Sequence, residues 1–115
     1  LLGFITEPDL YALFGNILDN AIGAVKKIED TEKRVIALNI KRVNDMIAVG
    51  IKNYYEGRLV FEDGLPKTVK ENTACHGFGM KSIRRIVEKY GGQLTVRAEE
   101  GVFSLDLLFF PLEKK

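Results

Sequence analysis

From Leu10 to Ile28 the apolar residues Leu10, Leu13, Phe14, Ile17, Leu18, Ala21, Val25 and Ile28 recur at helical spacing, which predicts one long amphipathic helix. Thr6 and Asp9, with Pro8 between them, form a capping arrangement at its start. Val35 to Arg42 and Met46 to Asn53 then alternate with a period of two and are joined through Asn44 and Asp45, a hairpin signal. Tyr54 to Cys75 has no clear periodicity and carries Gly57, Gly64 and Pro66. It reads as a long loop, a class that in compact domains is usually a functional lid or disordered. Met80, Ile83, Ile86, Val87 and Tyr90 predict a second helix stopped by Gly91 and Gly92. Gln93 to Glu99 and Val102 to Phe110 form a second hairpin through Glu100 and Gly101, with Phe103, Leu105, Leu107 and Phe109 on its core face. Ser104 and Asp106 lie on the other side together with Leu108 and Phe110, which hints at a surface covered by another domain. The order helix, hairpin, loop, helix, hairpin predicts a two-layer α/β sandwich, with helices on one face of a mixed sheet.

Polar residues interrupt the first helix along one line. Asn16 and Asn20 stand four residues apart, so their carboxamides stack on one face, and Asp9, Gly23 and Lys27 fall within a narrow arc around them. Asparagine is a poor helix former and glycine costs about 1 kcal/mol relative to alanine. A purely structural helix gains by replacing them, so rules broken along one stripe suggest a site. An arbitrary pair of asparagines merely faces solvent, and the next motif decides against that.

His76-Gly-Phe-Gly-Met-Lys-Ser-Ile83 places glycines directly before the second helix. Free N–H groups and the positive end of the helix dipole make such a junction a phosphate cradle, and the missing side chains let the backbone approach the anion. Alone, Gly-x-Gly before a helix is weak.

Together, in this order and about sixty residues apart, the two segments resemble the ATP-binding module of the GHKL superfamily: gyrase, the Hsp90 chaperones, sensor histidine kinases and the MutL repair proteins. Gly15-Asn-Ile-Leu-Asp-Asn-Ala-Ile-Gly-Ala24 is similar to the N box of sensor histidine kinases, and the wording around Gly77 and Gly79 to their Agr-type branch. The resemblance runs from about Thr6 to Pro111. It implies a GHKL (Bergerat) fold, ATP and Mg2+ as cofactors, and a lid over about 54–76. It also implies a role for each matching position. Asn20 matches the asparagine whose side-chain oxygen holds magnesium, an ion that prefers hard oxygen ligands. Asn16 stands where gyrase-like ATPases carry a water-activating carboxylate; an amide cannot act as that base, which favours phosphotransfer over hydrolysis. Gly77 and Gly79 match the glycines whose amides receive phosphates, with Lys81 and His76 nearby. Gly23 replaces a residue usually charged in such kinases, and Lys27 substitutes only if it folds back. Lys67, Thr68 and Lys70 are the lid's phosphate-facing candidates, with a solvated loop the alternative.

Between the motifs the superfamily has Asp-x-Gly-x-Gly, whose aspartate accepts from the exocyclic amine of adenine. Here Asn53-Tyr-Tyr-Glu-Gly57 stands in its place, keeping only Gly57. Parity puts Asn53 on the same face as Ile47, Val49 and Ile51, aimed into the expected pocket. An asparagine oxygen still accepts while its amide donates to a ring nitrogen. Asn53 also suits a strand end opening into a turn.

The 115 residues, 46% of them hydrophobic, suit one compact domain over 1–115. A net charge of +1 gives no reason to invoke nucleic acid or direct contact with an acidic membrane. A lone cysteine, Cys75, fits a reducing cytosol. His76 is the only histidine and borders the glycines, so a phosphoacceptor must come from elsewhere. The expectation is the cytoplasmic catalytic domain of a membrane-anchored sensor histidine kinase. Its partners are then the dimerising phosphoacceptor domain of the same kinase and a response regulator. Alternatives are a degenerate GHKL domain acting as a regulatory binding module, and an anti-sigma-factor-like serine kinase, a family with glutamate at the position of Asn16.

Overall fold

The computed structural model describes residues 2–57, 61–66 and 78–111. Helix α1 spans Glu7–Lys26, and Thr6 caps it as expected, its hydroxyl accepting from the amide of Asp9 at 3.4 Å. A 3-10 turn, Thr31–Lys33, leads into strands β1 (Ile36–Val43) and β2 (Met46–Tyr54). The tight connection puts Asn44 at φ 57°, a left-handed value that asparagine tolerates better than most residues. Short strands β3 (Phe61–Glu62) and β4 (Leu65–Pro66) follow, then helix α2 (Phe78–Lys89), β5 (Gln93–Glu99) and β6 (Val102–Phe109).

The main sheet has the order β1-β2-β6-β5, with every described pairing antiparallel. The two-layer sandwich is as expected, but the mixed sheet is not. Helix α2 returns the chain so that β5 runs parallel to β2, yet β6 inserts between them and pairs antiparallel with both. The parallel relation therefore exists only between strands that do not touch.

Both helices cover one face. Leu13, Ile17 and Ala21 of α1 pack with Met80, Ile83, Ile86 and Val87 of α2 over the inward residues of β2 and β6. Leu18, expected in the core, is 37% exposed; it sits at the margin of the apolar arc, next to the buried Ile17 and Ala21. Leu38 and Ile40 of β1 face the helix side by register, opposite Ile51 and Val49, but remain 45% and 37% exposed. The helix layer does not reach that edge.

The loop expected from Tyr54 onward contains a hairpin. Asp63 and Gly64 both take positive φ, 58° and 80°, and join β3 to β4 in a two-residue turn, the conformation that Asp-Gly favours. Leu65 is 6% exposed and belongs to the core.

The start of α1 is tied to the end of α2. Lys89 Nζ donates to Asp9 Oδ2 at 2.7 Å and the Tyr90 hydroxyl donates to the same oxygen at 2.6 Å. Phe4 packs edge-on against Tyr90 and Phe109. Hydrogen bonds from Lys89 and Tyr90 hold the Asp9 carboxyl below its ordinary pKa, and Asp9 holds Lys89 above its own. A depressed carboxylate stabilises the fold above its unfolded pKa and ceases to do so as pH falls through its folded value. Asp9→Asn should therefore lower the melting temperature at pH 7, and the gap from the parent should close below about pH 4. Thermal melts across that range check it.

Helix α2 ends in a Schellman motif: Gly92 N–H donates to Val87 O at 2.9 Å and Gly91 N–H to Glu88 O at 3.0 Å, with Gly91 at φ 72°. The two glycines serve different needs. Gly91 has open space beside it, whereas a Cβ on Gly92 would lie 2.8 Å from the Leu108 carbonyl oxygen and 3.0 Å from the Phe109 ring. Gly92→Ala should destabilise by about 1–3 kcal/mol through overpacking, while Gly91→Asn, which tolerates positive φ, should change stability much less. Urea unfolding of the two variants makes the comparison.

Candidate functional site

Three segments carry the candidate residues on the helix side of the sheet. The first is the asparagine stripe of α1, where Asn16 and Asn20 are both half-buried. The second is the start of α2. Its first four N–H groups, from Phe78 to Lys81, have no acceptor within the helix. Gly79 is buried, and a Cβ added there would stand 3.6 Å from Asn16 Oδ1. The two sequence motifs thus meet at one contact. Asn20, one turn beyond Asn16, continues the stripe past that point. Gly23 is half-buried, whereas Lys81 is exposed.

The third segment is the end of β2. Asn53 is 3% exposed and lies on the inner face, paired in register with Ile36 and Phe103. Its Nδ2 donates to the Tyr54 carbonyl oxygen at 2.9 Å. That bond fixes which way the carboxamide points, because a carbonyl accepts only from the amide nitrogen. Oδ1 is buried and, among the described residues, has no hydrogen-bond partner. Buried acceptors without donors are rare and costly, and each calls for an explanation. Gly57, four residues on, takes φ 95° and is exposed. Tyr55 packs half-buried against the core, and its N–H pairs with Gly101 O at 3.0 Å.

Two residues of the expected stripe do something else. Asp9 is taken up by Lys89 and Tyr90 at the far end of α2; helical position gave its face but not the height at which α2 crosses. Lys27 is the C-cap of α1, exposed, its N–H directed to the carbonyls of Ala24 and Val25. His76 and Gly77 lie outside the described residues, as do Lys67, Thr68, Lys70 and Cys75. Among the described residues, no three His, Cys, Asp or Glu side chains gather closely enough to hold a metal ion.

Sequence reasoning missed Arg84. Its Nη1 donates to Asp63 Oδ2 at 3.2 Å and its Nη2 to the Asp63 backbone oxygen. The signal that could have found this partner was Asp63-Gly64, a two-residue hairpin turn flanked by strands too short to show alternation.

Residues 6–110 match the family model described as a GHKL domain. The chain belongs to the GHKL family. Two relatives are each named a probable C4-dicarboxylate sensor kinase. The one from Bacillus subtilis (strain 168) is 26% identical over 116 residues, covering 95% of this chain. The one from Halalkalibacterium halodurans is 25% identical over 120 residues, covering 96%. The chain spans only 21% of the length of either relative. In fold, it is similar to the Acinetobacter baumannii histidine kinase AdeS, with a TM-score of 0.60 at 11% identity, covering 90% of this chain and 46% of that one. GHKL domains bind ATP as a family. Among the described residues, no helix is long and apolar enough to cross a membrane.

The Asn16–Gly79 contact can be tested directly. Alanine at 79 meets Asn16 at an ordinary contact distance, so Gly79→Ala should keep the fold. The branched methyls of Gly79→Val reach into Asn16 and cover the helix amides, so affinity for a fluorescent ATP analogue should fall at least about tenfold, or about 1.4 kcal/mol. Circular dichroism checks that both variants are folded, and equal affinity in the valine variant removes Gly79 from the site.

Proposed function

We propose that this GHKL domain binds Mg-ATP between the α1 stripe, Asn53 and the start of α2, and transfers the γ-phosphoryl group to a histidine on a separate dimerisation domain. The supporting observation is the buried, unpartnered Oδ1 of Asn53. It calls for a ligand that brings a donor, which the exocyclic amine of adenine does and the carbonyl of guanine or hypoxanthine does not. The second hydrogen of Nδ2 is left to donate to the adjacent ring nitrogen.

The donor set fits the remaining groups. Asn20 would hold magnesium through its carboxamide oxygen, a hard ligand suited to an ion that keeps phosphate and water in its shell. When bound, that ion supplies charge neutralisation at the phosphates. The α2 amides around Gly79, together with Gly77, Lys81 and His76, receive and orient the phosphate oxygens. Gly57 keeps the backbone close beside the base end. In the transfer, the bond from the γ-phosphorus to its bridging oxygen breaks, a bond to an imidazole nitrogen forms, and ADP leaves. Catalysis of this kind is mostly positioning and electrostatics. Asn16 cannot deprotonate water, so the site holds the triphosphate without hydrolysing it rapidly.

His76 is the only histidine in the chain and stands beside the glycines, so the acceptor is the dimerisation domain of the same kinase, working as a homodimer. The relatives named sensor kinases support this assignment. A response regulator then takes the phosphoryl group, and the domain works in the cytoplasm as part of a membrane-anchored protein.

One observation favours a second reading, a regulatory module that has lost tight nucleotide binding. Tyr55 is packed on the core where the family motif has its first glycine, and Asn53 is already 97% covered, being 3% exposed.

Titration calorimetry separates the two. The kinase reading expects magnesium-dependent ATP binding, weaker ITP binding, and loss of the magnesium dependence in Asn20→Ala. That variant should unfold within about 0.5 kcal/mol of the parent, as surface substitutions usually do. Absence of ATP binding at millimolar concentration in the parent selects the regulatory module.

A further inference from the structure

We infer that Arg84 and the Asp63-Gly64 turn form a clasp that positions the phosphate-binding end of α2, with Arg84 as a positioning residue; this rests on the nucleotide reading above. Four features meet at the clasp. Arg84 gives one guanidinium nitrogen to the Asp63 carboxylate at 3.2 Å and the other to the Asp63 backbone oxygen. Arginine's planar fork suits such a double contact, whereas the point charge of lysine does not. Asp63, at φ 58°, and Gly64, at φ 80°, hold the turn open toward the helix. A Cβ on Gly64 would lie 3.0 Å from Arg84 Nη2, so a side chain there would press on the guanidinium as well as strain the positive φ. Leu65, the next residue, is 6% exposed and buried in the same core as Met80, Ile83 and Val87.

The location gives this clasp a role beyond holding a hairpin. Arg84 is three residues past Lys81, the last residue whose amide is free of the helix. On one side, α2 is fixed to α1 by Gly79 against Asn16. Arg84 fixes it, one turn further, to the chain that has just left Asn53 and Gly57 at the end of β2. The β3–β4 hairpin, which lies between Asn53 and α2 in the chain, is thereby attached to α2 one turn beyond the phosphate-binding end. Exposed ion pairs contribute little to stability, and the Asp63 side chain is 89% exposed. Two contacts from one guanidinium to one turn hold this side of α2 more closely than a single ion pair would.

The test uses Arg84→Met, which keeps the aliphatic stem, and Asp63→Asn, which tolerates the left-handed backbone. Affinities for Mg-ATP and for adenosine are measured on the parent, both variants and the double variant. A positioning role expects Mg-ATP affinity to fall about five- to twentyfold in Arg84→Met while adenosine affinity changes less than about twofold. The double variant should be no worse than Arg84→Met alone. Equal losses for both ligands, or none, overturn the inference. Hydrogen exchange of the amides at residues 82–85, the first that bond within α2, is a second readout in nucleotide-free protein. Faster exchange in Arg84→Met than in the parent supports the clasp, and unchanged exchange overturns it. If the parent binds neither ligand, the nucleotide reading falls, and the exchange rates alone decide whether the clasp holds α2.

Discussion

The close approach of α2 to α1 at Gly79 and Asn16 is the constraint on which the rest depends. Two helices on one sheet face can lie side by side at many heights and rotations. Here the first turn of α2 lies beside the carboxamide of Asn16, with room at Gly79 for a methyl group but for little more. The opposite ends are closed by Asp9, Lys89 and Tyr90.

The sheet supplies the complementary constraint. The inner residues of β2 are Ile47, Val49 and Ile51, each at most 2% exposed, and the next inward position is Asn53 at 3%. An asparagine in that series sits where a hydrophobic residue would satisfy packing at lower cost. The backbone of Tyr54 uses its nitrogen and leaves its oxygen unanswered. The fold therefore carries a polar defect at the end of a strand whose inner face is otherwise apolar, the kind of local inconsistency that is expected at functional or strained sites.

Much of this was legible in the sequence, because the signals are local. Thr6, Asn44 with Asp45, Glu100 with Gly101, and Gly91 with Gly92 each act on their own few residues, and periodicity assigns faces. The parity of β2 put Asn53 inward without any knowledge of its neighbours. The rest depended on contacts between distant segments. Nothing in β5 or β6 announces that β6 will insert beside β2. The helical face of Asp9 did not reveal that α2 ends opposite it. The Asp63-Gly64 turn was locally visible, but its partner Arg84 is twenty-one residues away, and strands of two residues carry no pattern to join them.

The antiparallel pairing of β2 with β6 has a consequence for how the chain reaches this state. The two hairpins are local and form within about 1–10 μs in isolation, as helices do faster still. The seam between β2 and β6 joins Asn53 to Phe103 across fifty residues, and closing so long a span costs entropy before any contact rewards it. The seam therefore closes late, after the hairpins exist as separate pieces. Asn53 becomes a buried acceptor only when that seam closes and the helices cover it. A partly assembled chain, hairpins and helices included, has no such pocket to offer, so ligand binding at Asn53 would select the completed topology and pull folding intermediates toward it.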